Sequence, residues 1–213
     1  MKIAIVGAGG VGGYFGGLLA RDDHDVAFLA RGAHLRAIRT RGLRVESVDG
    51  AFTIAPANAT DDPEEIGPVD LMLLCVKTYD LTVALGQLRP LVGPVTAILT
   101  LQNGVEAPGM VAALYGREVV LPGLVYCEVA IKEPGVILQG SPMRRVIFGE
   151  LDGLPTPRAR AIADAFSATG VDTLLSNNIL GALWSKFCFI CGMSGVTTLT
   201  RRSVGPILED EEA

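Results

Sequence analysis

The stretch that most constrains this chain is Lys2 to Arg31, KIAIVGAGGVGGYFGGLLARDDHDVAFLAR. Ile3 to Val6 is a short apolar run, the length of a buried parallel strand. Gly7, Gly9 and Gly12 follow at G-x-G-x-x-G spacing, and a helical stretch carries Tyr14, Phe15, Leu18 and Leu19 as its apolar positions. A second apolar run, Val26 to Leu29, leads to Arg31. Strand, tight turn, helix and strand within about thirty residues is the setting in which this spacing reads as a dinucleotide-binding turn rather than a ligand-free glycine turn. Each glycine has a physical role there. Gly7 lets the chain turn sharply out of the strand, Gly9 leaves room for a pyrophosphate, and Gly12 lets the helix lie close to the strand. The helix N-terminus then presents free N–H groups and partial positive charge to the phosphates. Gly10 and Val11 complete the predicted cofactor-binding turn.

Arg31 refines the expectation. A turn that binds NAD usually has an acid about 20 residues on, bonded to the ribose 2′-hydroxyl. Here the second strand ends Phe28-Leu29-Ala30-Arg31-Gly32, without an acid. A guanidinium at that place can grip a 2′-phosphate through charge-assisted hydrogen bonds, which favours NADP over NAD. A solvated arginine at a strand end is the plain alternative.

Nearly half of the 213 residues (49%) are hydrophobic and 19% are charged, enough for a sizeable core and against disorder. A net charge of −5 leaves no basic surface of the kind that binds nucleic acid. Arg36, Arg39, Arg41 and Arg44 form one local cluster, expected to be a solvated helix face. Cys75, Cys127, Cys188 and Cys191 are expected to be buried free thiols, suiting a reducing cytoplasm. The C-x-x-C at Cys188 and Cys191 lies inside a helical pattern and has no second pair to complete a zinc site. Ile3 to Ala20 is uncharged and long, but seven glycines within it argue against a membrane helix or a signal peptide.

Further along, Leu43 to Val48 and Phe52 to Ile54 alternate about Asp49-Gly50, a hairpin signal. Val69 to Val76 reads as a buried strand running into Lys77, and Val95 to Leu101 as another ending at Asn103. Ligands of open parallel sheets lie beyond the carboxyl ends of the strands, so both residues point toward the cofactor and substrate crevice. A loop lysine and an Asn-Gly turn are the plain alternatives. A helix is expected over Leu81 to Leu91. Val119 to Ile131, Val136 to Leu138 and Val146 to Phe148 suggest an antiparallel edge. A helix over Pro157 to Thr169 and a strand over Val171 to Leu175 follow. From Ser176 the pattern turns helical, with Ile179, Leu183, Phe187 and Ile190 on one stripe and Lys186 beside them. The expected architecture is α/β: a Rossmann-like doubly wound sheet with an antiparallel edge over residues 1–175, then the start of an all-helical unit over 176–213.

Several pieces of the chain together resemble the ketopantoate reductase (2-dehydropantoate 2-reductase) family. They are GAGGVGGYFG at Gly7 to Gly16, Arg31, CVKTYD at Cys75 to Asp80, LQNG at Leu101 to Gly104 and LWSKF at Leu183 to Phe187. The resemblance covers nearly all of the chain. It implies an NADPH-dependent oxidoreductase of pantothenate and coenzyme A biosynthesis, acting on a small keto acid. Gly7, Gly9 and Gly12 would hold the pyrophosphate and Arg31 the 2′-phosphate, while Lys77 and Asn103 would line the crevice. Lys186 would be the catalytic lysine, polarising and protonating the substrate carbonyl at a domain junction. Asn103, Lys186 and Ser194 would meet the substrate. Family members often carry asparagines four and eight residues after the lysine, where this chain has Ile190 and Ser194. The family also continues further as a helical domain that builds homo-oligomers, so a chain of this length is expected to be a truncated form. It would expose Ile179, Leu183, Phe187 and Ile190 and leave water around Lys186. Three functions stay open at this point. They are ketopantoate reduction, reduction of a different 2-keto acid, and dinucleotide binding without turnover because the cleft is incomplete.

Overall fold

A ten-stranded sheet forms the frame of the computed structural model, which describes residues 1–209. Residues 210–213, the last of the predicted helical unit, lie outside the described residues. In chain order the strands and helices begin β1 (Lys2–Val6), α1 (Gly10–Arg21), β2 (Asp25–Leu29), α2 (Gly32–Arg41), β3 (Leu43–Ser47), β4 (Gly50–Ile54) and β5 (Asn58–Thr60). They continue with β6 (Val69–Leu74), α3 (Leu81–Leu85), β7 (Val92–Thr100), α4 (Ala107–Tyr115), β8 (Val120–Glu133) and β9 (Val136–Phe148). The chain closes with α5 (Pro157–Ala168), β10 (Asp172–Leu175), α6 (Ile179–Thr200) and α7 (Val204–Leu208).

The spatial order is β4-β3-β9-β8-β7-β6-β1-β2-β5, with β10 also on β9. From β5 through β8 all neighbours are parallel. Alternation along β1 explains how that half is covered on both faces. Ile3 and Ile5 enter one core with Phe15, Phe28, Phe148 and Phe166, while Ala4 and Val6 enter another with Met72, Leu74, Val111 and Tyr115. Helix α1 lies against the first face, where Phe15 meets Phe166 edge-on at 6.0 Å. A fully buried phenylalanine of this kind contributes about 1.5–3 kcal/mol over an exposed one.

The antiparallel part is larger than an edge. β8 and β9 pair antiparallel over most of their length, and β9 then takes β3 and β10 as parallel neighbours. The predicted short strands at 136–138 and 146–148 are one strand. Gly140 and Pro142 lie between them, and the strand is irregular there without ending: Val129 faces Gln139 while Cys127 faces Arg144. The expected helix over 81–91 is also shorter. It stops at Leu85, before Gly86, and Arg89–Leu91 forms a single 3₁₀ turn on Pro90. β5, three residues long, carries too few side chains to show a periodicity and was not foreseen.

Helix α6 docks on β8 and β9 through Ile179 and Leu183, which pack against Leu124 and Ile147. Its length and composition would suffice to cross a membrane, with 17% of the apolar window buried. Leu180, Trp184, Phe189, Val196 and Leu199 are exposed along it.

Candidate active site

The glycine turn is built by backbone geometry. Gly7 has φ +93°, in the left-handed region that glycine enters freely. The N–H groups of Gly7 and Ala8 both donate to Leu29 O, at 3.2 and 3.1 Å, which ties the turn to β2. Gly9 is the N-cap of α1 and no side chain caps that helix. Its first-turn N–H groups therefore depend on a partner from outside the helix. A Cβ placed on Gly9 would meet no atom within 4 Å. The position opens onto a cleft of about 340 Å³ lined by Gly7, Gly9, Arg31, His34, Asp61 and Gln87, among others. Uncapped helix N–H groups beside a glycine with open space fit the phosphates of a dinucleotide. Gly10 and Gly12 behave differently: a Cβ would stand 2.7 Å from Val129 O and 2.2 Å from Gly7 O, respectively. They line neither of the clefts described here, and their lack of a side chain serves packing of the turn against β8 and β1.

Arg31 caps α2 and is exposed, with Nη2 donating to Gln87 Oε1 at 2.9 Å. His34 was not foreseen, since a lone histidine early in a helix gives no pattern. Gly135 N–H donates to its Nδ1 at 3.1 Å, which leaves the proton on Nε2 to be donated to Ala8 O at 2.8 Å. Burial lowers its pKa, against the opposing effect of the Ala8 hydrogen bond. The ring thus braces the glycine turn in its neutral form.

A second cleft of about 400 Å³ shares Val76 with the first and brings together Val11, Lys77, Asn103 and Lys186. Lys77 and Asn103 follow β6 and β7, whose carboxyl ends open here, and both are exposed. Lys186 arrives from α6 and is 8% exposed. Its Nζ donates to Asn103 Oδ1 at 2.9 Å and to Val125 O at 2.6 Å, and stands 5.3 Å from the centre of the Tyr126 ring. An ammonium has three N–H donors, so one is left for a ligand in the cleft. Burial lowers the lysine pKa, and the neighbouring Cys127 acts weakly the other way. Burial also raises the thiols, Cys127 to about 11 and Cys75 further, so neither is poised as a thiolate nucleophile. Gln102 also lines this cleft. Its Nε2 donates to Leu74 O and Val76 O, at 2.8 and 3.2 Å, and its buried Oε1 has no partner among the described residues. The side chain clamps the end of β6 and offers one unused acceptor. It stood inside the LQNG run, next to the residue the sequence singled out.

Ser194 is not brought to this cleft. Ile190 and Met193 line it with Lys186, whereas Ser194 is exposed and outside its lining. At about 100° per residue, position 193 returns close to the azimuth of Lys186 and position 194 overshoots it. The same rotation corrects the cysteines. Cys188 and Cys191 are exposed, on the side of α6 turned away from Ile179 and Lys186. The expected exposure of the 179–190 stripe is reversed at Ile179 and Leu183, while Phe187 and Ile190 are half-buried. Ile179 and Leu183 are 2% and 4% exposed and Lys186 is buried with them, because that stripe is what docks α6 on the sheet.

The chain is similar to several known proteins over nearly its whole length. Residues 3–153 match the family described as ketopantoate reductase PanE/ApbA. An uncharacterized oxidoreductase of Bacillus subtilis, YkpB, is 35% identical over 211 residues, covering 99% of this chain and 69% of that protein. A 2-dehydropantoate 2-reductase of Mesorhizobium japonicum is 32% identical, covering 99% of this chain and 71% of its own length. The solved 2-dehydropantoate 2-reductase of Geobacter metallireducens superposes with a TM-score of 0.93 at 36% identity, over 99% of this chain and 69% of that one. A D-mandelate dehydrogenase solved with NADH and anilino(oxo)acetate has a TM-score of 0.85 at 25% identity, over 94% and 65%.

Proposed function

The chain belongs to the ketopantoate reductase family of oxidoreductases, and from that premise we propose that it reduces 2-dehydropantoate to pantoate with NADPH, in cytoplasmic pantothenate and coenzyme A biosynthesis. The observation that carries this reading is Lys186, buried in the cleft with two of its N–H groups held by Asn103 and Val125 and one left over. The bound nicotinamide would supply hydride to the keto carbon. Lys186 would direct its third N–H at the keto oxygen, stabilise the charge that develops there and give up the proton. Asn103 would hold the ammonium in place while its amide N–H₂ faces the ligand. Lys77 would attract the substrate carboxylate or the cofactor phosphates. Gly7, Gly9, Gly10, Val11 and Gly12 would form the pyrophosphate turn and Arg31 the 2′-phosphate contact. Residues 1–175 would act as the dinucleotide unit. The helices from 176 would supply the lysine and, through the exposed apolar residues of α6, contacts between copies of the chain.

A different 2-keto acid is the second reading. Phe189, Ile190, Met193 and Met143 line the cleft beside Lys186 and offer no strong hydrogen-bonding group. The similarity to a D-mandelate dehydrogenase points the same way. Steady-state NADPH oxidation with ketopantoate and with an aryl keto acid separates the readings. Turnover with ketopantoate supports the first and turnover with the aryl acid alone supports the second. NADPH binding without turnover of either leaves a dinucleotide-binding module.

Arg31→Ala is expected to weaken NADPH by about 1.5–3 kcal/mol, the worth of a hydrogen bond to a charged group, and to change NADH little. Titration calorimetry with both cofactors checks this, and equal weakening of the two would rule out a 2′-phosphate contact.

A further inference from the structure

β2 brings no carboxylate to its carboxyl end, but the strand beside it does. β5 pairs in parallel with β2, Leu29 opposite Thr60, and Ala30 N–H donates to Thr60 O at 3.0 Å. Asp61, the next residue, therefore emerges alongside Ala30 and Arg31, and it lines the same cleft as Gly7, Gly9 and Arg31. Arg39 fastens this strand end. Its Nε donates to Ala59 O at 2.8 Å and its Nη2 to Thr60 Oγ1 at 3.3 Å, with Asp61 Oδ1 3.8 Å away. Arg31 is engaged elsewhere, on Gln87. The cleft thus presents a cation from β2 and an anion from β5, each held by a different partner.

We propose that Asp61 is a specificity-determining residue of this cleft, accepting hydrogen bonds from the adenosine ribose hydroxyls, so that the chain binds NADH as well as NADPH. The proposal rests on reading the cleft as a dinucleotide site. An ionised carboxylate only accepts hydrogen bonds, so it matches a ribose bearing free 2′- and 3′-hydroxyls. The same carboxylate repels a 2′-phosphate, which carries nearly two negative charges at neutral pH. Arg31 acts in the opposite sense on both cofactors. The Asp61 side chain is 62% exposed, so water damps its repulsion and the balance is a modest preference for NADPH rather than exclusion of NADH.

The test is calorimetric affinity for NADPH and NADH, and for the fragments 2′,5′-ADP and ADP, at fixed salt and at a pH where the 2′-phosphate is fully ionised. The parent is expected to prefer NADPH by less than about 30-fold. Asp61→Asn should weaken NADH and ADP several-fold and strengthen NADPH and 2′,5′-ADP several-fold, widening the ratio on the order of ten-fold. Asp164→Asn removes an exposed carboxylate on α5, outside the cleft, and should leave NADH affinity unchanged. Because Asp61 is exposed, the variant should melt with the parent. An unchanged ratio in Asp61→Asn, with both dinucleotides still bound, overturns the proposal and leaves the dinucleotide reading standing. So does a parent that prefers NADPH by more than about 100-fold, or an Asp164→Asn variant that weakens NADH equally. Failure of the parent to bind either dinucleotide overturns both.

Discussion

Lys186→Ala is expected to lower kcat for keto-acid reduction by about 10²–10⁴-fold, the usual worth of a positioned general acid, with NADPH affinity nearly unchanged. The ammonium is needed most as negative charge gathers on the keto oxygen, so its loss falls on the transition state rather than on the ground state. Nothing in the glycine-turn cleft depends on it, because that cleft is lined by other residues. Lys186→Arg keeps the positive charge and a long side chain, and separates lost acid chemistry from lost charge. The pH profile gives an independent readout. In the proposed mechanism protonated Lys186 is the acid, so the rate would be full at low pH and fall as pH rises through the lysine pKa. Burial puts that fall below the ordinary lysine value of 10.5. Removal of the lysine should remove this limb. Undiminished turnover by Lys186→Ala would end its assignment as the acid.

Gly9→Val and Gly12→Ala are expected to fail in opposite ways. Gly9 has φ −70° and an open side, so valine can be seated there without a clash and the fold should melt close to the parent. The added side chain would occupy the place proposed for the pyrophosphate, and NADPH affinity should fall by at least about 100-fold. A Cβ at Gly12 would be 2.2 Å from Gly7 O and 2.8 Å from Ile5 Cγ2, so α1 must move off β1. Overpacking of that kind costs roughly 1–3 kcal/mol, and the backbone contact here puts it at the upper end. Thermal melts and calorimetry on both variants read the two effects apart. A folded Gly9→Val protein with parental NADPH affinity would dismiss the glycine turn as the phosphate site.

What could be read from the sequence was what local chemistry controls. The order of glycines after an apolar run specifies a turn and a helix N-terminus, because only glycine fits φ +93° at Gly7 and a 2.2 Å approach at Gly12. The ends of β6 and β7 were legible for the same reason, since buried runs that stop at Lys77 and Asn103 have few other folds. What the tertiary structure decided was which distant residues meet. The contact of Lys186 with Asn103, 83 residues apart, exists because one stripe of α6 docks on β8, and its partner Val125 offers only a backbone carbonyl. The same docking turned Cys188 and Cys191 outward, against an expectation drawn from their apolar surroundings, and Ser194 with them, against what the family resemblance implied. Along the chain, β2 ends without an acid. The fold delivers Asp61 to that place across a hydrogen-bonded strand of three residues, too short to leave a pattern in the sequence, because strand pairing is a matter of space and not of order along the chain.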